Sequence, residues 1–513
     1  MNKRMFHCTL AALLGLALAA LLLWLGAATP AQANPGIRCI NQTGTGCGGD
    51  CGFCYTSVQA AVDAAASDDE IRIAGGTYRP GGTVAAIASK ELVIRGGYAP
   101  DFGDFDPDMY ETVLDAQWGG SVISITNAGD VMLQHLTLTH GDGLGNCPAW
   151  PGSCGGGIYA TGANLHVGQC IITNNVGGMT GGANGGGIYA DAGNRVVEIW
   201  ESRIVSNTAA MSSSVSSEYG YGGGIYIREG IALLWENEVL DNVGGVNHGG
   251  SGGIHLSGVT HADVLTNTIR GNRANLSIYY GGGGGLTIDG YSAAVYVAGN
   301  RIEDNRAGHL VGLGGGVYVW ESDAHLARNT IINNTTGTIN GYGGGVCINS
   351  TAPVTLSNNL IARNTATYGG GVYVTMGGTP GSQAILANNT IADNGDSGIV
   401  ADRYAALTMT NNLIAGHTVG VTNTAPVSIT ISADHNLFWN SSDPIVGNNV
   451  IREDPLLTSD YHLNTGSPAV DAGLDIPWLT VDLEGNPRPP GEYDIGAYEG
   501  TVPWEVYLPL VLR

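Results

Sequence analysis

The sequence predicts an all-β fold, a single-stranded parallel β-helix (a solenoid). Three observations predict it. A glycine-led phrase, "GGGIYA" in its clearest form, starts at 155, 185, 222, 251, 283, 314, 343 and 369. An asparagine phrase, N-x-I-x-x-N, alternates with it, as in "NTIRGN" at 267, "NRIEDN" at 300 and "NTIINN" at 329. Each unit between them holds about three short runs of alternating hydrophobic and polar residues, with no helical period, separated by glycine or asparagine. Stacking such units at the strand spacing of about 4.8 Å buries every inward aliphatic against its copies above and below.

The elements follow in chain order. Residues 1–33 read as a signal peptide: Lys3 and Arg4 precede an apolar stretch, and Ala31-Gln32-Ala33 forms a small-residue cleavage site. The stretch Thr9–Ala28 is also long enough to span a bilayer, so a retained anchor is the alternative to cleavage. No other segment is hydrophobic enough to cross a membrane. Residues 34–120 form the N-terminal cap and first coils. Residues 121–440 carry the β-helix repeats, 441–500 a C-terminal coil and cap, and 501–513 an apolar tail that either packs on the last coil or acts as a sorting signal. The whole is expected to make about 12 coils.

Composition narrows the function. Glycine supplies 82 of 513 residues without a collagen period, and aliphatic residues are plentiful, which excludes disorder. Leader removal leaves 44 acidic against 18 basic residues, a net charge of −26. That surface repels nucleic acid and anionic lipid. In an exported chain, Cys39, Cys47, Cys51 and Cys54 are expected to form disulfides among themselves and Cys147 to pair with Cys154. Cys170 and Cys347 lie on repeat strands as candidates for free thiols.

The asparagine columns have a structural reason. At a turn that recurs in register, each side-chain amide can bond the next one and the local backbone, and asparagine tolerates positive φ. The expected column is Asn174, Asn207, Asn242, Asn272, Asn305, Asn334, Asn364 and Asn394, ending at His417. Alternation places Ile188 inward and Tyr189 outward. The outward column is then Tyr159, Tyr189, Tyr226, His255, Thr287, Tyr318, Cys347 and Tyr373, and beside it run Thr161, Asp191, Arg228, Ser257, Asp289, Trp320, Asn349 and Thr375.

With these motifs the sequence resembles the right-handed parallel β-helix superfamily, the pectate-lyase-like fold. Its "GGGIYA" phrases resemble the repeats of polymorphic outer-membrane proteins. "CYTSVQAAVDAAASDDEIRIAGGTYRP" is similar to the entry segment of such folds, which implies a short amphipathic helix, here about Ser57 to Ala66, capping the open end, and residues 466–500 resemble the anchor-associated C-terminal segment, choice-of-anchor Q, of bacterial surface β-helix proteins. The resemblance implies a secreted or cell-surface protein whose partner is an extracellular polysaccharide or a cell-envelope component. It does not supply a chemistry, because this fold hosts lyases, hydrolases, epimerases and adhesins. The Asn-Thr-Asp, Asp-Asp and Arg-Ile-Lys set of polygalacturonases is not present as a set.

Site expectations come from the outward columns. Tyr189, Tyr226, Tyr318 and Trp320 are the candidate sugar-stacking residues. Arg228, His255 and Asp289, in consecutive coils, are the candidate catalytic group, with His255 expected between the other two. Loops between the asparagine column and the next glycine block are expected to wall one side of a groove. No cofactor is implied except Ca²⁺, for which the C-terminal carboxylates Asp482 and Glu484 are the candidate ligands. The leading reading is polysaccharide binding or adhesion. The runner-up is a polysaccharide lyase or glycoside hydrolase, and the third is a structural envelope protein.

Overall fold

The structure is a computed structural model. It describes residues 36–500 apart from 49, 52, 148–151, 212–218, 277–279, 376–382, 425–428 and 443–446. The expected leader and the 501–513 tail lie outside the described residues.

The chain winds as a parallel β-helix with three faces per coil. In one coil the three strands are Leu286–Asp289, Val295–Ala298 and Arg301–Glu303. Corresponding strands of successive coils pair in parallel without a register shift over most of the repeats. The third face is a 13-stranded sheet running from Gly76–Tyr78 to Leu437–Trp439, close to the expected coil number. Because the register is constant, one residue type recurs at each inward position. Ile158, Ile188, Ile225, Ile254, Leu286, Val317, Val346 and Val372 form one such column and are fully buried. They join a core that continues along the repeats.

The helix α1 (Val58–Ala64) covers the N-terminal end of this core. The Ser57 hydroxyl caps it by accepting from the Ala60 N–H, and Val58, Ala61 and Val62 are buried in the core. The N-terminal disulfides are Cys39–Cys51 and Cys47–Cys54, and Cys147–Cys154 closes a loop further on. Cys170 and Cys347 are free and buried.

Two asparagine ladders run through the corners on either side of the third face. After it, Asn175, Asn207, Asn242, Asn272, Asn305, Asn334, Asn364 and Asn394 stack at 0 % exposure. Asn272 shows the pattern. Its backbone N–H and its Nδ2 both donate to Asn305 Oδ1, each at 3.0 Å, and Nδ2 also donates to Val239 O at 2.8 Å. Before the third face, Asn237, Asn267, Asn300, Asn329, Asn359, Asn389, Asn412 and Asn436 repeat the scheme. Ser202 and Cys170 occupy the same corner in the two preceding coils, with Cys170 N–H donating to Ser202 Oγ. Burying an amide without partners costs about 1–3 kcal/mol, so a fully paired stack is a condition of the fold.

Two details differ from the sequence expectation. The ladder begins at Asn175, not Asn174. The positive φ also belongs to the residue before each ladder asparagine, as at Asn174, Ser206, Asp241 and Asp304. That left-handed residue turns the corner, which leaves its successor's side chain pointing inward.

The loops after the third face are more ordered than expected. They add two narrow parallel sheets. One holds Val176–Gly178, Thr208–Ala210, Val243–Gly245 and Arg273–Asn275. The other runs from Ala183–Asn184 through Tyr219–Tyr221, His248–Ser251, Tyr280–Gly283 and Val311–Leu313 to Asn340–Tyr342. Together they form a flange beside the main helix. Its layers touch through backbone: a Cβ on Gly220 would lie 1.8 Å from Gly244 O, so only glycine fits there.

The C-terminal segment lies along a flank of the helix and not as a lid over its end. Ala497 and Tyr498 pack on Leu360, Ala362 and Ala392 of the third face, and Ala469 and Ile495 on Leu413, Ala415 and Leu437. Outward-turned asparagines at left-handed corner positions bind its backbone. Asn358 donates to Val481 O at 2.6 Å, Asn388 to Asp494 O at 2.9 Å and Asn411 to Leu474 O at 2.8 Å. The buried Arg488 guanidinium joins Asn358 Oδ1, Gly496 O and the Glu499 carboxylate.

Replacing Ile188 or Ile331 with Asp puts an unpaired charge in the core and should cost about 4 kcal/mol or more, read as a large drop in melting temperature. His417 provides a second test. It ends the ladder with Nε2 facing Asn394 Nδ2, and burial lowers its pKa to about 4 from 6.5. The unfolded chain therefore takes up a proton near pH 6.5 that the folded chain resists until about pH 4. Stability is complete above that window and falls as pH drops through it, by about 2–3 kcal/mol between pH 7 and 4.5. Urea unfolding at the two pH values should show this loss, and His417→Asn should remove most of it.

Candidate functional site

The first face carries the outward column expected from alternation. Tyr159, Tyr189, Tyr226, His255, Thr287, Tyr318, Cys347 and Tyr373 are in register from coil to coil. Tyr159 and Tyr189 stack at 5.7 Å, Tyr189 and Tyr226 at 5.5 Å, and Tyr226 and His255 at 4.9 Å.

The column is not an open platform. Tyr189, Tyr226 and Tyr318 are only 6–9 % exposed. Tyr221 of the flange and the Cys147–Cys154 bridge pack over Tyr159, Tyr189 and Tyr226, while Leu313 and Tyr342 cover Tyr318 and Tyr373. The loops expected to wall a groove fold over its floor instead, so these tyrosines form a second hydrophobic layer. Trp320, the fourth expected stacking residue, is the one left accessible, at 42 %.

The expected catalytic group divides. Arg228 turns away to Asp191 at 3.3 Å and Glu229 at 3.2 Å, and is half exposed. Its column passes through Ser257 to Asp289, so Ser257 stands between them and His255 belongs to the neighbouring column. His255 and Asp289 do meet, with Nε2 3.0 Å from Oδ2. Burial pushes the Asp289 carboxyl up, but the His255 charge and hydrogen bonds from His255 and Ser257 together hold it below the usual range.

On its other side His255 Nδ1 lies 3.2 Å from Ser251 Oγ. A serine, a histidine and an aspartate are thus joined in sequence, the order that activates a nucleophile in hydrolases. Here the serine hydroxyl is fully buried and accepts the Gly222 N–H at 3.0 Å. The next coil makes the same tie with other residues: Thr287 Oγ1 accepts from Gly283 N–H at 3.1 Å and donates to Gly250 O at 3.2 Å. The chain therefore fastens the flange to the first face. It also explains why tyrosine gives way to His255 and Thr287 at these two coils. Ser251 was the residue missed in the sequence, and its signal was present: it stands where the other blocks begin with glycine.

The Ca²⁺ expectation does not fit the C-terminal carboxylates. Asp482 is fully buried, and its oxygens accept from the N–H groups of Glu484, Asn486 and Glu499 and from Asn486 Nδ2. Glu484 faces His462 at 3.1 Å and is half exposed. Among the described residues no group of three or more His, Cys, Asp or Glu is placed to hold a metal, and no helix is long and apolar enough to cross a membrane.

A family model described as "Right handed beta helix region" matches residues 252–438. No curated protein matches the chain. Among solved structures, pectate lyase Pel9A aligns over 91 % of this chain and 98 % of its own, with 12 % identity and a TM-score of 0.36. The periplasmic alginate epimerase AlgG aligns over 74 % of this chain and 77 % of its own, with 13 % identity and a TM-score of 0.31. The fold is a right-handed parallel β-helix.

If Ser251 is a fastener, Ser251→Ala removes the partner of the Gly222 N–H and of His255 Nδ1, while His255 Nε2 keeps Asp289. Thermal unfolding should show a loss of about 1–2 kcal/mol.

Proposed function

We propose that this chain is a secreted or cell-surface β-helix protein that binds an extracellular polysaccharide or a cell-envelope component, or mediates adhesion, without catalysis. The observation that carries the reading is the closure of the first face. The side chains best suited to chemistry, Ser251, His255 and Asp289, are bonded to one another and to the flange beneath covered tyrosines. Binding needs only an extended exterior, whereas turnover needs a reacting atom within reach of a free acid or base. The three disulfides suit an oxidising compartment. The likeness of residues 466–500 to anchor-associated segments supports a place at the cell surface.

One observation favours a second reading, a polysaccharide lyase or glycoside hydrolase. The His255–Asp289 pair, 3.0 Å apart on the first face, would become accessible as an acid and base if the flange lifted away. A screen of the purified protein on plant, algal and bacterial polysaccharides separates the two. Retention on at least one polymer without release of reducing ends or unsaturated products is the expected result. Turnover that vanishes in His255→Ala and Asp289→Ala while retention persists would establish the enzyme instead.

A further inference from the structure

The second and third coils carry a grouping away from the first face. Strand Thr112–Asp115 lies between Gly76–Tyr78 and Thr137–Thr139 on the third face, which brings the three following corners together. Asp115 sits at their centre with its side chain 7 % exposed. Arg79 Nε donates to its Oδ2 at 2.9 Å, while the Gln117 N–H at 3.0 Å and His140 Nδ1 at 3.1 Å meet its Oδ1. Burial pushes the carboxyl up, but these partners more than offset it and hold Asp115 ionised. Around this buried anchor stand three accessible groups. The Arg79 side chain is 57 % exposed, that of His140 is 40 % exposed, and the Trp118 residue is 41 % exposed. The indole packs on the imidazole at 5.0 Å.

Gln117 and Trp118 are successive left-handed residues, with φ of +51° and +63°. A bulky residue in that region costs about 1–2 kcal/mol. The conformation displays the indole at the surface beside His140, with the Trp118 N–H held by His140 O at 2.7 Å. Glycine in the same place would carry no such cost. Arg79 also lines a cavity of about 380 Å³ together with Gln42, Thr56, Thr77 and Pro80, within the range of about 300–1,000 Å³ usual for small-ligand pockets.

We propose that Trp118, His140 and Arg79, arranged around Asp115, form a subsite for a neutral sugar residue of a polysaccharide, extended by the cavity beside Arg79. The indole offers a flat apolar surface for the C–H face of a pyranose ring. The terminal guanidinium nitrogens and His140 Nε2 are not used by Asp115, and on these partly exposed side chains they would serve as partners for neighbouring hydroxyls. Asp115 neutralises Arg79, so the subsite lacks the excess positive charge a polyuronate needs, and the chain's net charge of −24 opposes polyanions further. The proposal rests on the polysaccharide-binding reading above and gives it an address.

Native affinity electrophoresis tests it, with the full mature chain run through gels containing β-glucan, galactomannan, xylan, arabinogalactan, polygalacturonate or alginate. We expect retardation by at least one of the four neutral polymers and by neither polyuronate. Trp118→Gly should weaken that retardation at least tenfold while leaving the melting temperature equal or higher, because it relieves the left-handed strain. Arg79→Gln, whose side-chain amide can still donate to Asp115, should weaken it as well, and Trp320→Ala should not. Wild-type retardation that persists in both Trp118→Gly and Arg79→Gln would overturn this subsite and leave polysaccharide binding standing. Retardation by the polyuronates alone would overturn the ligand class. No retardation of the wild type in any of the six gels would overturn both the subsite and the reading on which it rests. Were Trp118→Gly to lose stability, Arg79→Gln at unchanged melting temperature would decide.

Discussion

Everything in this molecule depends on a buried amide being satisfied by its own copy one coil away. An asparagine side chain carries two donors and an acceptor with two lone pairs. In the ladders Oδ1 takes two bonds from the preceding coil's asparagine and Nδ2 reaches the next. That arrangement works only if every coil has the same corner at the same height. The ladders therefore fix the register, and the register places each aliphatic residue over another in the core. A one-residue slip would turn the aliphatic column outward along the whole face. Where the ladder ends, chemistry changes with it, and His417 exchanges a neutral amide for a group that can take a proton.

A constant register also lines outward apolar residues into continuous columns, which are open to aggregation unless something covers them. Two additions cover parts of this exterior. The flange lies over the tyrosines of the first face, and the C-terminal segment lies over the third face of the later coils. Both attach through hydrogen bonds as well as apolar contact: Ser251 and Thr287 for the flange, Asn358, Asn388 and Asn411 for the segment. The surface left for partners is thus smaller than the number of coils suggests. At the N-terminal coils Trp118, His140 and Arg79 remain open around a buried carboxylate.

The parts legible in the sequence were those the repeat makes explicit. Ile188 and Ile331 are inward because alternation sets the parity, and both are fully buried. The asparagine column was readable from its period, though the degenerate first copy gave Asn174 in place of Asn175. The helix at 58–64 followed from the resemblance of the entry segment, and the Cys147–Cys154 pair from its spacing, whereas the pairing Cys39–Cys51 and Cys47–Cys54 within the N-terminal cluster was not legible. What could not be read was tertiary cover. Nothing in "GGGIYA" tells that Tyr189 is overlaid by a strand from another part of the coil, since the flange sequences are short, glycine-rich and unequal in length. The same limit applies to the site residues. His255 and Asp289 meet in the structure, but their burial and the Ser251 bond arise from the flange. Arg228 was assigned by column position, whereas its long side chain follows the nearest carboxylates, Asp191 and Glu229.

The account makes the ladders the most persistent part of the fold and the flange a separately opening layer. Native-state hydrogen exchange followed by mass spectrometry measures that difference directly. Peptides spanning the corners at Asn267–Asn272, Asn300–Asn305 and Asn329–Asn334 should exchange only through global unfolding, with the same denaturant dependence as the core strands, while peptides spanning Tyr219–Tyr221 and His248–Ser251 exchange earlier through local opening. Corner amides that exchange as fast as the flange, or before the core strands, would contradict the claim that the asparagine ladders hold the structure in register.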